Sequence, residues 1–166
     1  MAVQTKASGQ RIFRASNGVE IPITPVPLLL ASDIANSIGK PKQPTITVEG
    51  LDGPHEMIDI SEAAQKAYTS ELAEFEAKAN SLYLETVLEF GSNIEFGEAE
   101  QEVVNKYRAR LSKKGITIQS PNDIYVYIAY ILLPNHEDVQ HLQEAITNLN
   151  QATKDQLEKA RDSFRS

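Results

Sequence analysis

The chain has 166 residues and a formal net charge of −7, and it contains no cysteine. This length is sufficient for one domain with a hydrophobic core, and the lack of cysteine excludes disulfides, thiolate catalysis and zinc–thiolate sites. The acidic balance argues against non-specific binding to nucleic acid or to an anionic membrane.

The longest apolar runs, residues 21–31 and 124–133, are too short to span a bilayer. Residues 1–10 lack the apolar stretch of a classical signal peptide. We therefore expect a cytoplasmic protein that does not enter a membrane. Export by a machine that reads a different signal is the alternative.

The first 60 residues contain all but two of the eight prolines, and they are typical of short strands, turns and extended chain. Asn17-Gly18 lies between β-forming residues and predicts a hairpin over 11–23 with a two-residue type I′ turn. Pro22 has no ladder donor, so we expect it on an edge strand or at a strand end. A flexible leader is the alternative, and we expect one over residues 1–10.

Two further elements precede residue 60. Ser32 predicts the cap of a short helix over 33–38, which Gly39 would end. Alternating residues at 45–49 and 57–60, on either side of a turn-rich segment, predict a second hairpin.

Beyond residue 59 each apolar-periodic segment begins with a capping residue and ends at Gly or Pro, which predicts packed helices. The first, opened by Asp59 or Ser61 and closed by Gly91, should cover 62–90. The second should cover 95–114.

A third helix is predicted over 121–133, with Ser120 as its cap and Pro121 in its first turn. Its residues are apolar nearly all round, as in a central buried helix, and a buried parallel strand is the alternative. Asn135 opens a fourth helix that runs from His136 toward Phe164. Its apolar spacing fits one face of a bundle, or a long helix with a break near Asn150.

These elements together predict a mainly α fold. A C-terminal bundle of about four helices, residues 61–166, would follow an N-terminal segment of short β-strands and extended chain, residues 1–60, that is partly flexible. The C-terminal helix could also join copies of the chain into a homo-oligomer.

Charge is unevenly distributed, with ten acidic residues against two lysines over 61–102, and five basic residues with no acid over 103–122. Helix-dipole complementation and a Glu102–Lys106 pair explain much of this pattern. The functional alternative is an acidic face that docks a basic protein surface or mimics a nucleic-acid backbone to block a basic groove. Its candidate residues are Glu95, Glu98, Glu100 and Glu102. The basic stretch around Tyr107 is a weaker candidate for phosphate contacts.

Tyr125, Tyr127 and Tyr130 lie in the most apolar segment, where buried phenols need hydrogen-bond partners or access to water. Ordinary buried tyrosines with exposed hydroxyls would satisfy that need. The functional alternative is a groove of amphipathic rings that binds a peptide or helix, with Tyr125 and Tyr127 as candidates.

Residue patterns for catalysis are weak. His136, Glu137, Asp138 and His141 form the one metal-like cluster, but the histidines are five apart and helix capping explains the acids better. No nucleophile elbow or glycine-rich phosphate loop occurs. We therefore predict no catalytic residue, metal or cofactor, and keep a small hydrolase or metal-dependent enzyme as a third hypothesis.

The function predicted from these patterns is non-catalytic. We expect a protein-interaction module, such as an inhibitor, immunity protein, adaptor or chaperone-like factor, that binds a protein partner through a helical groove or its acidic face. The alternative is an exported effector or a virion component with a flexible N-terminal arm.

Overall fold

The computed structural model describes residues 4–5, 11–27 and 29–163, with side chains over 11–27 and 29–149. The fold is mainly helical, with two small antiparallel sheets. The described residues form two compact units, one from Met1–Leu28 together with Leu84–Ser166 and the other from Leu29–Tyr83. The change of composition near residue 60 lies within the second unit, and a separate domain over 61–166 stays a prediction.

The first unit begins with a three-stranded sheet in the order β1-β2-β3, formed by Gln4–Thr5, Arg11–Arg14 and Glu20–Ile23. The predicted hairpin is present, and Pro22 lies on the edge strand β3, where its missing donor costs no ladder bond. Within the predicted flexible leader, β1 pairs with β2. The remainder of residues 1–10 lies outside the described part.

The turn of this hairpin differs from the prediction. The Ala15 N–H donates to the Val19 carbonyl at 2.9 Å, and the Gly18 N–H donates to the Ala15 carbonyl at 3.0 Å. Within this turn only Gly18 has a positive φ, 86°. The loop therefore has three residues, a type I turn followed by a left-handed glycine, because Asn17 does not adopt the positive φ that a type I′ turn requires.

The second unit contains helix α1, Leu30–Ile38, and the hairpin of β4, Thr45–Gly50, and β5, Gly53–Ile58. The second predicted hairpin is therefore confirmed. The cap predicted at Ser32 is wrong, since α1 begins before it and has Leu29 at its N-cap. Gly39 does end α1, with a φ of 81°.

Four α-helices follow residue 61: α2, Glu62–Gly91; α3, Glu98–Ser112; α4, Asp123–Val126; and α5, His136–Ser163. The limits of α2 and the start of α5 agree with the prediction. Helix α3 is shorter than the predicted 95–114, since Gly97 is its N-cap and Glu98 its first residue. Helix α5 continues through residue 150 without the break that one reading of its spacing allows. None of the described helices combines the length and the apolar character that a bilayer-spanning segment requires.

The third predicted helix has a different form. Helix α4 passes directly into a π-helical segment, Tyr127–Leu132, and Leu133 closes it by donating to the Ile128 carbonyl at 2.9 Å. The helix alternative is thus correct and the strand alternative is wrong. The cap is Asn122 instead of Ser120, because the Asn122 side chain accepts the Tyr125 N–H at 3.0 Å.

The core of the first unit is formed by side chains of β2 and β3, of the end of α2, of α3, α4 and α5, and of the segment 127–133. It includes Phe13, Ile21, Val87, Leu88, Val104, Val126, Ile128, Leu133, Leu142 and Ile146, each at most 2% exposed. Asp138, in the first turn of α5, is also fully buried. Its carboxylate accepts hydrogen bonds from the Ser16 N–H and hydroxyl, so it fixes the hairpin loop against α5.

Candidate functional site

The π-helical segment decides which tyrosines meet. In a regular α-helix, residues five apart diverge by about 140° around the axis. The wider turns of a π-helix reduce this divergence. The Tyr125 and Tyr130 rings consequently lie edge to face with their centroids 6.1 Å apart. Such π-helical insertions are frequent at functional sites.

A third ring comes from α3, where Tyr107 lies 6.3 Å from Tyr130 between ring centroids. The three rings line a depression of about 280 Å³, which we call the tyrosine groove. The remaining lining side chains are mostly apolar: Leu84, Ala129, Pro134, His136 and Val139. Tyr130 is 38% exposed, so its ring is accessible to a ligand at the groove surface.

A polar network fixes the start of α4, and with it Tyr125. The Asp123 carboxylate accepts from Gln101 Nε2 at 2.6 Å and from Arg108 Nη2 at 2.8 Å. These contacts join α3 to α4. The hydrogen bond from Gln101 and the charge of Arg108 lower the pKa of Asp123, against the effect of partial burial, so the group is ionised at neutral pH.

The end of α2 contributes to the same network. The Ser120 hydroxyl donates to Glu85 at 2.7 Å, and Asn122 Nδ2 donates to Glu89 at 2.6 Å. The side chain of Asn122, which caps α4, is thus itself fixed by a hydrogen bond to Glu89 on α2. The groove wall that carries Tyr125 is preorganised by these bonds, which limits the ordering cost of binding.

The hydroxyl of Tyr125 lies in a weakly solvated place. Burial raises its pKa above the ordinary value, and neighbouring Tyr130 and Glu85 add to the effect. The phenol is therefore neutral and remains a hydrogen-bond donor at physiological pH. A neutral ring with a polar tip suits contact with mixed apolar and polar surface on a protein ligand.

The predicted candidate Tyr127 lies elsewhere. Its half-buried ring packs against Phe96 with centroids 5.7 Å apart and planes at 71°, and it is not among the groove-lining residues. The structure brings Tyr107, Tyr130 and His136 to Tyr125 instead. The sequence indicates that Tyr107 lies on the inward face of α3, which agrees with its place in the groove. The sequence does not indicate that Tyr125 and Tyr130 meet, because residues five apart are not neighbours on a regular α-helix.

The predicted acidic residues lie around the first turn of α3. Glu98 and Glu102 line an open depression of about 430 Å³ with Phe96. Two of the four acids have local partners: Glu100 accepts the Gly97 N–H at 2.9 Å, and Glu102 pairs with Lys106 at 2.7 Å. These contacts lower the pKa of Glu100 and of Glu102. Glu95 and Glu98 are exposed.

Two other sequence candidates have structural partners. Arg108, from the basic stretch, donates to Asp123 and to the Ser120 carbonyl at 2.9 Å. Asp138, from the metal-like cluster, is buried against Ser16. His136 lines the tyrosine groove beside Val139. These contacts favour structural roles for Arg108 and Asp138.

Comparison with known protein families, with curated proteins and with solved structures returns no match for this chain.

Proposed function

We propose that the protein is a non-catalytic interaction module that binds an apolar segment of a partner protein in the tyrosine groove. The observation that carries the proposal is the convergence of Tyr107, Tyr125 and Tyr130 on one depression of about 280 Å³. A depression of this size fits one or two side chains of a peptide or helix. Tyrosine is among the residue types that dominate binding energy at protein interfaces.

Preorganisation supports the same conclusion. Asp123, Arg108 and Asn122 hold the wall that carries Tyr125, so little order has to be created on binding. The groove is a better docking surface than the acidic face, because Glu100 and Glu102 already have local partners. The net charge of −7 favours a partner with basic flanks.

Several finer predictions belong to this proposal. They are a bundle of about four helices over 61–166 that presents the groove, and a cytoplasmic location. The alternative, an exported effector or a virion component with a flexible N-terminal arm, also stays a prediction. Assembly through the C-terminal helix also stays a prediction, since its side chains beyond residue 149 are not described.

The proposal is tested with peptides selected from a displayed library against the full chain. The chain has no tryptophan, so a tryptophan placed in a selected peptide gives a binding signal without background from the protein. We expect Tyr130→Ala to weaken binding by roughly 30-fold, as for a central aromatic anchor. Tyr130→Phe, which keeps the ring, should lose much less.

The matched control is Tyr68→Ala, a half-buried tyrosine of α2 in the other unit. It should leave the affinity unchanged. If the selected peptides bind the wild type and Tyr130→Ala equally well, the groove is not the docking site and the proposal fails.

A further inference from the structure

The hairpin of β4 and β5 has one apolar face, and that face is exposed. Directly paired residues of an antiparallel ladder lie on the same side of the sheet, which puts Ile46, Met57 and Val48 on one face with His55. These three apolar side chains are 45%, 56% and 39% exposed. Two-stranded hairpins are marginally stable in water unless such a face or edge gains a partner.

Among the described strands β4 pairs with β5 alone, so its other edge is open to a further strand. The Asp59 N–H donates to the Pro44 carbonyl at 2.8 Å, so these two residues form a hydrogen-bonded pair. This pair determines which of the following pairs are also hydrogen-bonded. Bonded pairs alternate along an antiparallel ladder, so Ile46 and Val48 bond to β5. The backbone N–H and C=O groups of Thr45, Thr47 and Glu49 therefore point away from β5, toward the open edge.

The edge of β5 is less suited to pairing. Its outward positions are Pro54, Glu56 and Ile58 by the same alternation. Pro54 has no N–H, which interrupts the row of donors, as is common on protected edge strands. An added strand should therefore pair with β4, because each outward-pointing residue from Thr45 to Glu49 has a backbone N–H that can donate.

We propose that β4 pairs in antiparallel fashion with β4 of a second copy of this chain. With Thr47 on the two-fold axis, Thr45 of each copy faces Glu49 of the other, and all three outward positions form bonded pairs. Ile46 then lies beside Val48 of the second copy, which covers part of both exposed side chains. The two hairpins form one four-stranded sheet.

Charge complementarity favours a second copy of the chain as the partner, and it favours antiparallel pairing. The segment before β4 carries Lys40 and Lys42, whereas the hairpin tip carries Glu49 and Asp52, and all four are exposed. Antiparallel pairing about Thr47 places the lysines of one copy beside the acidic tip of the other, twice per dimer. Parallel pairing would instead place like charges together.

The first test uses the absence of cysteine from the chain. Thr47→Cys puts two thiols across the two-fold axis, where bonded pairs have Cα atoms about 5.5 Å apart, a spacing that suits a disulfide. We expect mild oxidation of the full-length variant to give a covalent dimer. Glu56→Cys is the control, because Glu56 pairs with Thr47 on the same face but lies on the β5 edge. Equal cross-linking of the two variants would overturn the proposal.

The second test measures the dimer directly by sedimentation equilibrium of the full chain. We expect Glu49→Lys with Asp52→Lys to raise the dimer dissociation constant by roughly tenfold. Adding Lys40→Glu and Lys42→Glu should restore the dimer affinity. Such a rescue would show that the first two substitutions act through charge and do not unfold the chain. A wild type that stays monomeric at all concentrations overturns the proposal. Tyr130→Ala should leave the dimer unchanged, so failure here is separable from failure of the tyrosine groove.

Discussion

Asp123 shows how much depends on a single carboxylate at the residue scale. It accepts from Gln101 and Arg108 on α3 while lying in the first turn of α4, where a negative charge is also favoured by the helix dipole. Since the aspartate joins the two helices that carry Tyr107 and Tyr125, its ionisation state affects stability and groove geometry together.

The pH dependence of stability follows from the direction of this shift. The folded pKa of Asp123 lies below its ordinary value of 3.8. The stabilisation is therefore complete above 3.8 and is lost as the pH falls through the folded value. We predict that Asp123→Asn lowers the free energy of unfolding by about 1–2 kcal/mol at neutral pH. Urea unfolding should show this difference shrinking as the pH falls below 3.8.

Asp33→Asn is the control for this prediction, since Asp33 is an exposed acid in the first turn of α1. It should change stability by less than about 0.5 kcal/mol at any pH. A constant gap between Asp123→Asn and the wild type across the acid range would contradict the assigned role.

Residue identity alone left some of these details open. Ser120 and Asn122 are both residue types that cap helices. Only the structure shows that Asn122 caps α4, by accepting the Tyr125 N–H, whereas the Ser120 hydroxyl donates to Glu85. The Glu102–Lys106 pair was predictable and is confirmed at 2.7 Å, because it depends only on spacing within one helix.

At the scale of elements, the contact between α2 and α5 needs a residue without a side chain. Gly91 ends α2, and a Cβ atom built on it would overlap Cγ2 of Ile146 and lie 2.8 Å from its Cδ1. Both residues are buried. The helix ends can therefore approach this closely only with glycine at position 91.

We predict that Gly91→Ala destabilises the protein by about 1–3 kcal/mol, as expected for overpacking a rigid core. Gly97→Ala is the matched control: its added Cβ would meet only Glu100 Oε2 at an ordinary 3.5 Å. In a double-mutant cycle with Ile146→Ala, measured by urea unfolding, the two losses should be less than additive. Full additivity would show that the two side chains do not compete for the same space.

The order of the long helices, the limits of α2 and the start of α5 could be predicted, because caps, periodicity and stop residues are local signals. The π-helical form of Tyr127–Leu132 could not, since its apolar residues fit any buried helix. That difference changed the candidate site. The sequence predicts Tyr125 and Tyr127 as the candidate pair, whereas the widened turns bring Tyr125 to Tyr130 and Tyr127 packs against Phe96.

At the scale of the whole molecule, burial is divided unequally between the two units. Among the described residues of 29–83, Ile34 alone is buried, and the other buried positions belong to 12–26 and 87–149. Proline content suggested a boundary near residue 60, but contacts across a chain cannot be derived from composition. Amphipathic spacing shows which side of an element is apolar, not which element covers it.

This division predicts a gradient of local stability that hydrogen exchange can measure. Amides of β2, β3, α3 and the end of α2 should open only with high free energy, because they surround the buried core. Amides of β4 and β5 should exchange at least about 100-fold faster in dilute protein.

Raising the protein concentration should slow exchange at Thr45, Thr47 and Glu49 if β4 pairs between copies. Glu56, on the other edge of the hairpin, is the internal control. Uniform protection of both units in dilute solution would show that exposed side chains do not mark the weaker unit here.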